Sequence, residues 1–415
     1  MQDGFLRAAA ASIPVAVADP RRNAAAICAR IDQAHRAHAA LLVLPELCVT
    51  GYTCGGLFLS ALLLDAAEEA LMNICAHTQN RAPVVVLGVP LRAGGKLYNC
   101  AAVLHRGRIL GVVPKTWLPN YDVFAEKRCF ASAAAYSGPG CVPVGGQDVP
   151  FGTGLVFACA QMPAFCLGVE LCEDVWAPVP PSVRLCLAGA TVLANCSASP
   201  EAAGKPAHRR TLLRAASARG LCGYVYANAG PDESTAHAVF SAHHLIAENG
   251  TILAEHAPFA PESGLLMTEF DLLTLTAERR PRGAGADARG APARRGGLHG
   301  AAAGRGRLRA GCLRRQCRRA AHARALAHRG GGRARRGTPA HGAARRALRA
   351  GRRLRRRLVR TDGLLLLPSR ALRRAPAAHP AAGPRGLRRR GRGRGHSARH
   401  GGAHVLPVPA AGSLT

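Results

Sequence analysis

Three stretches decide the fold: Leu42-Val-Leu-Pro-Glu46, Leu110-Gly-Val-Val-Pro-Lys115 and Leu167-Gly-Val-Glu-Leu-Cys172. Each is an apolar run of strand length that ends on a functional side chain. Continuous apolar runs of this kind suit strands buried on both faces, and the carboxyl ends of such strands are where α/β sheets collect ligands and catalytic groups. A glutamate, a lysine and a cysteine can thus meet in one crevice. Separations of 69 and 57 residues do not by themselves prove that they do.

The surrounding sequence keeps the same alternation. Asp19-Pro20 offers a capping acceptor and a first-turn proline, and Ala24, Ile27, Ile31 and Ala34 follow at helical spacing. Further apolar runs occupy 40–44, 84–89, 109–113, 165–169 and 190–194, with helix-like segments at 65–78 and 206–219. Buried strands alternating with helices predict an α/β domain. Asn249-Gly250, set between apolar runs at 238–247 and 251–255, predicts a hairpin, so the domain closes with an antiparallel unit and ends near 271–280.

At that point the composition breaks. Residues 1–280 hold 21 of the 56 Lys and Arg and 22 of the 24 Asp and Glu, whereas residues 281–415 hold 35 arginines against Asp287 and Asp362. The net charge of +32 therefore lies in the second segment. After Phe270 there is no aromatic residue, and no repeat or sustained apolar period, so the segment has little with which to build a core.

Fifteen cysteines, an odd number without a convincing signal peptide, point to reduced thiols in the cytoplasm rather than a disulfide framework. Neither Cys48 and Cys54 nor Cys312 and Cys317 has zinc-site spacing, so no metal is expected. Uncharged stretches at 47–64 and 149–169 approach membrane-spanning length, but glycines and prolines interrupt both and favour turns and short strands.

The chemistry of the three strand ends is coherent. Thiolate is the reactive form of cysteine, a carboxylate can take the thiol proton and return it to a leaving amine, and an ammonium can stabilise an oxyanion. Acyl transfer through a thioester, releasing ammonia from an amide, is the reaction such a group supports. Against this, most free cysteines are packing residues, and a Glu or Lys at a strand end is commonly a solvated charge.

Longer blocks carry a resemblance. Leu44-Pro-Glu-Leu-Cys-Val-Thr-Gly-Tyr52, Pro114-Lys-Thr-Trp-Leu-Pro-Asn-Tyr121 and Gly168-Val-Glu-Leu-Cys-Glu-Asp-Val-Trp-Ala-Pro178 resemble, in order, the signature blocks of the nitrilase superfamily, in the form found in NAD synthetase glutaminase domains. Ala188-Gly-Ala-Thr-Val-Leu-Ala-Asn-Cys-Ser-Ala-Ser199, Gly204-Lys205, Arg209-Arg210, Ser217-Ala-Arg219, Tyr224-Val-Tyr-Ala227 and Glu233-Ser-Thr235 extend it over about residues 5–275.

The resemblance implies a four-layer αββα sandwich over residues 1–276, followed by a disordered Arg-rich tail over 277–415. It implies Glu46 as general base, Lys115 supporting the oxyanion and Cys172 as nucleophile. Tyr121, Phe124, Glu173, Ser199 and Lys205 would hold glutamine. It further implies a homo-oligomer, no membrane and no cofactor for this domain, with ATP and magnesium belonging to a synthetase domain whose Ser-Gly-Gly-Leu-Asp-Ser type loop does not occur here. Gly56, Ala125 and Ala236-His237 depart from the family pattern, sparing the triad but bearing on packing or communication between domains.

Two alternatives stand beside glutamine hydrolysis: a stand-alone amidase with another substrate, and a basic protein binding nucleic acid nonspecifically through its arginines. The G- and C-rich codons implied by the tail also suit an out-of-frame reading of a synthetase region.

Overall fold

The computed structural model describes residues 4–261 and 264–281, and the backbone of Arg294–Leu298. Strand β1 (Phe5–Ala10) leads to helix α1 (Pro20–Arg36), which starts where its sequence requires: Asp19 accepts the Arg22 N–H at 3.0 Å and Pro20 opens the first turn. Ala24, Ile27, Ile31 and Ala34 form its buried face. Next come β2 (Leu41–Val43), α2 (Ala61–His77), β3 (Val84–Ala93), β4 (Lys96–His105) and β5 (Arg108–Pro114). A small hairpin, β6 (Cys141–Val144) and β7 (Gln147–Pro150), precedes β8 (Leu155–Cys159) and β9 (Cys166–Leu171). The domain continues through α3 (Pro181–Leu187), β10 (Val192–Ser197), α4 (Lys205–Gly220) and β11 (Gly223–Asn228). It finishes with β12 (His244–Glu248), β13 (Thr251–His256), β14 (Leu266–Asp271) and α5 (Leu272–Arg279).

The strands form two large sheets, ordered β14-β1-β2-β3-β4-β5 and β13-β12-β11-β10-β9-β8. Between them lies one core, where Leu41, Val43, Val86 and Val103 of the first sheet meet Leu167, Val169, Val192 and Val225 of the second. On the outer face of the first sheet, Leu42, Val85 and Leu87 pack with Ile27, Ile31, Leu71 and Ile74 of α1 and α2. The second sheet packs Leu193, Tyr224 and Leu245 against Leu185 of α3 and Leu213 of α4. These layers are the αββα sandwich implied by the motifs.

The predicted hairpin joins β12 and β13, with Asn249 and Gly250 at φ 43° and 88°, the left-handed pair that a tight hairpin turn needs. Stretch 47–64 becomes turns and the start of α2, and 149–169 becomes the end of β7 with β8 and β9. Among the described residues no helix is long and apolar enough to cross a membrane. Helix α5 runs three residues past the expected boundary at 276, because the Arg279 guanidinium donates to the Cys186 and Ala190 carbonyls at 2.7 Å each. Within the expected tail, Arg294–Leu298 forms a strand, β15, that pairs in parallel with β8 and covers that sheet edge. The remaining expectations for residues 282–415 lie outside the described residues.

Candidate active site

All three motif strands deliver their last residue to one end of the sandwich. Glu46 lies just past β2, and its backbone N–H donates to the Ser197 carbonyl at 3.3 Å in the opposite sheet. Gly88 on β3 makes that placement possible. A β-carbon there would stand 2.1 Å from the Leu47 nitrogen and 2.6 Å from the Glu46 Cα, both backbone atoms. Lys115 follows β5, its N–H bonded to the Asn99 carbonyl at 2.8 Å. Cys172 follows β9 at φ 38°, a left-handed turn unusual for a residue with a side chain, and its N–H donates to Asn195 Oδ1 at 3.0 Å.

The side chains meet in a buried pocket. Lys115 Nζ bonds Glu46 Oε1 at 2.5 Å and Glu126 Oε1 at 2.6 Å. Asn99 Nδ2 donates to Glu46 Oε1 at 2.7 Å, the Ala198 N–H donates to Glu46 Oε2 at 3.0 Å, and the Tyr52 hydroxyl donates to Glu126 Oε1 at 2.8 Å. Burial pulls the Lys115 ammonium down, but the Glu126 and Glu46 carboxylates more than reverse this and hold it well above its ordinary value. The Cys172 thiol is pushed up by burial first, then by the charge of Glu46, with Lys115 pulling down and Glu126 pushing up; the Ala198 N–H also favours the thiolate. Cys172 thus rests as a neutral thiol, with Glu46, Glu126 and Lys115 nearby.

The residues expected to hold glutamine fall into two groups. The Tyr121 hydroxyl reaches both Glu173 oxygens, at 3.0 and 3.1 Å, and the Tyr121 ring meets Phe124 edge-on at 5.5 Å between centroids. Burial pushes the Glu173 carboxyl up, while the Tyr121 hydrogen bond and the charges of Lys115 and Lys205 pull it down. Lys205, at the start of α4, sits 5.0 Å from the centre of the Trp176 ring. Ser199 has a different set of partners: its N–H donates to Asn228 Oδ1 at 2.7 Å and its hydroxyl accepts from Arg209 Nη2 at 3.2 Å.

A family model described as carbon-nitrogen hydrolase matches residues 7–280. The chain belongs to the carbon-nitrogen hydrolase family. Over 278 residues it is 44% identical to the glutamine-dependent NAD(+) synthetase of Mycobacterium tuberculosis (strain H37Rv), an alignment spanning 67% of this chain and 41% of that protein. A protein of the same name from Thermotoga maritima is 37% identical over 174 residues, 42% of this chain and 26% of its own length. Among solved structures, the glutamine-dependent NAD(+) synthetase from Cytophaga hutchinsonii superposes with a TM-score of 0.57 at 29% identity, covering 68% of this chain and 45% of that one. An amidase from Nesterenkonia sp. shares the fold, with a TM-score of 0.50 at 21% identity over 68% of this chain and 97% of its own.

In this carbon-nitrogen hydrolase several site residues escape the motif reading. Glu126 belongs to Glu126-Lys-Arg128, which reads as a surface charge run, yet Glu126 is only 6% exposed. Asn99 carries a legible signal, a lone amide inside the apolar run of β4, since a buried polar group needs partners. Asp174 accepts the N–H groups of Leu171, Thr116 and Trp117 at 3.1, 3.1 and 2.8 Å, so it ties the Lys115 segment to the Cys172 turn. Burial and neighbouring Glu170 push the Asp174 carboxyl up to about 8, against the pull of those N–H donors. Behind Cys172, Asn195 Nδ2 donates to the Tyr224 hydroxyl at 3.1 Å, and that hydroxyl donates to Glu170 at 2.6 Å.

Gly56, Ala125, Ala236 and His237, the departures from the family pattern, line a single cavity of about 360 Å³, which also reaches Glu126 and Tyr52. Among the described residues no group of three or more His, Cys, Asp or Glu is arranged to hold a metal ion.

Proposed function

We propose that this hydrolase releases ammonia from the side-chain amide of glutamine through a thioester on Cys172. The observation that carries the reading is the convergence of Glu46, Lys115 and Cys172 in one buried pocket. Glu46 takes the thiol proton as the sulfur attacks the amide carbon. Lys115 and a backbone N–H hold the oxyanion, and Glu46 returns the proton to the departing amine. Water, activated by the same carboxylate, then cleaves the thioester to glutamate. No cofactor enters these steps.

The Tyr121, Glu173 and Lys205 group suits an amino acid substrate. Lys205 supplies a cation for the α-carboxylate and Glu173 an acceptor for the α-ammonium, with Phe124 bracing Tyr121 and Ser199 completing the contacts. The names of the relatives favour glutamine over other amides. They also favour ammonia delivery to ATP- and magnesium-dependent NAD synthesis, although the chain spans only about two fifths of the mycobacterial relative's length. We read residues 1–280, four past the expected boundary at 276, as the glutaminase domain of a cytoplasmic homo-oligomer. The residues beyond 280 we read as an out-of-frame version of a synthetase region, with nonspecific polyanion binding as the property its arginines confer. If neither alternative frame of the coding DNA beyond codon 280 yields a synthetase motif, the frame reading is wrong.

Ammonia release by the full chain is measured with glutamine, asparagine and simple amides, beside Cys172→Ala. Glutamine turnover that disappears in the variant is the expected result. Turnover of other amides alone makes the chain an amidase of different substrate, and no turnover by folded protein overturns the hydrolase reading.

A further inference from the structure

Away from the active site, Cys186 near the end of α3 meets Cys222 just before β11. A β-carbon on Gly220 would stand 2.8 Å from each of the two sulfurs, so the pair converges over a residue that leaves room for both. Cys186 lines a surface recess of about 190 Å³ together with Ser182, Arg219, Gly220 and Arg279. The recess is mostly apolar, with the arginines Arg219 and Arg279 at its wall. Among the described residues, the buried Arg279 Nε has no hydrogen-bond partner, and Arg279 is 5% exposed. An unpartnered guanidinium N–H favours a visitor that carries an acceptor.

We propose that Cys186 and Cys222 form a reversible oxidation site, in which a low-molecular-weight disulfide enters this recess and leaves the two cysteines joined. The Cys186 thiolate attacks one sulfur of the small disulfide, forming a mixed disulfide and expelling the first small thiolate. That thiolate takes up the Cys222 proton, Cys222 sulfur attacks the Cys186 sulfur and expels the second small thiolate, and this takes up from water the proton that Cys186 released. Each protein sulfur gives up one electron, and the small disulfide is reduced to two thiols. Cys186 is the attacking group because it lines the recess, whereas Cys222 is fully buried. The neighbouring Cys222 thiol also lowers that of Cys186 below the ordinary value. Burial opposes this and the Arg279 charge adds to it. The proximity of Cys186, then burial, pushes the Cys222 thiol up.

The bond would tie together two elements that hold Glu170. Ser182, one helical turn before Cys186, donates its N–H to Glu170 at 2.8 Å. Tyr224, two residues after Cys222, donates its hydroxyl to the same carboxylate.

The test exposes the full chain to glutathione disulfide, blocks remaining thiols with iodoacetamide and maps peptides by mass spectrometry. The expected product is a cross-linked peptide pair containing Cys186 and Cys222, lost on treatment with dithiothreitol. In Cys222→Ser, glutathione should instead stay on Cys186, and Cys186→Ser should leave Cys222 unmodified. Wild-type protein with no such link, at an exposure that already modifies the more accessible Cys28 and Cys129, overturns the proposal. So does wild-type protein in which Cys186 retains glutathione without transfer to Cys222. The wild-type map decides the matter even if a variant fails to fold.

Discussion

Glu126→Gln isolates the charge of the buried carboxylate without changing its shape. Burial, opposed by Lys115 and reinforced by Glu46, raises the Glu126 carboxyl from an ordinary value of 4.5 to about 7. A folded-state value above the unfolded one means that the native protein holds this proton more tightly. The stabilisation from Glu126 is therefore full below pH 4.5 and is lost as pH rises through 7. At about 1.4 kcal/mol per unit, the shift corresponds to roughly 3 kcal/mol. Glutamine keeps an oxygen to accept from Lys115 and Tyr52 but does not titrate, and groups unconnected to this site cancel between the two proteins. Urea unfolding at intervals from pH 4.5 to 8.5 should show wild type losing about 3 kcal/mol relative to Glu126→Gln across that range. Two parallel stability profiles would refute the placement of a titrating carboxyl beside Lys115.

Other substitutions probe the supports of the site. Tyr224→Phe removes one hydroxyl and leaves Glu170 and Asn195 each short of a buried hydrogen bond, for a loss of about 2–4 kcal/mol in urea unfolding. Because Asn195 anchors the Cys172 N–H, kcat for glutamine should fall while KM holds. Gly88→Ala drives a methyl into the Glu46 and Leu47 backbone, so it should cost about 3 kcal/mol or more and abolish ammonia release in the protein that remains folded. Lys205→Ala should raise KM for glutamine about tenfold or more with little change in kcat, since a charged contact of about 1.5–3 kcal/mol is lost from binding alone.

The fold was legible where apolar period and punctuation agreed. Asp19-Pro20 announced α1, Asn249-Gly250 announced the β12–β13 turn, and the apolar runs before Glu46, Lys115 and Cys172 are strands. The β3–β4 hairpin was less visible, because the apolar run of 84–89 continues as strand to Ala93 before its Gly94-Gly95 turn. Glu126 was hidden for a different reason. A carboxylate between charged neighbours in a loop looks solvated, and only the approach of Lys115 from another segment reveals that it is paired. Convergence of residues 46, 115 and 126 depends on strand order, which no local period encodes.

Two thiols in this domain have opposite surroundings, and the contrast explains how one can be spared while the other reacts. Cys172 lies beside Glu46 and Glu126 with one ammonium between them, so its proton stays on until a carbonyl arrives to receive the sulfur's electron pair. A small disulfide offers no developing oxyanion for Lys115 to hold, and it must enter a pocket in which Cys172 is 3% exposed. Cys186 feels the Glu170 carboxylate less than it feels Arg279. It has a thiol donor, the guanidinium of Arg279 and a recess open to the surface. Activation at Cys172 therefore depends on substrate, whereas Cys186 already faces a recess beside Arg279 in the resting protein. Oxidation by small disulfides should thus reach the Cys186–Cys222 pair before it consumes glutamine turnover. Sampling cross-link formation and ammonia release along the same time course tests that order: activity that disappears first would place the more reactive thiol at Cys172.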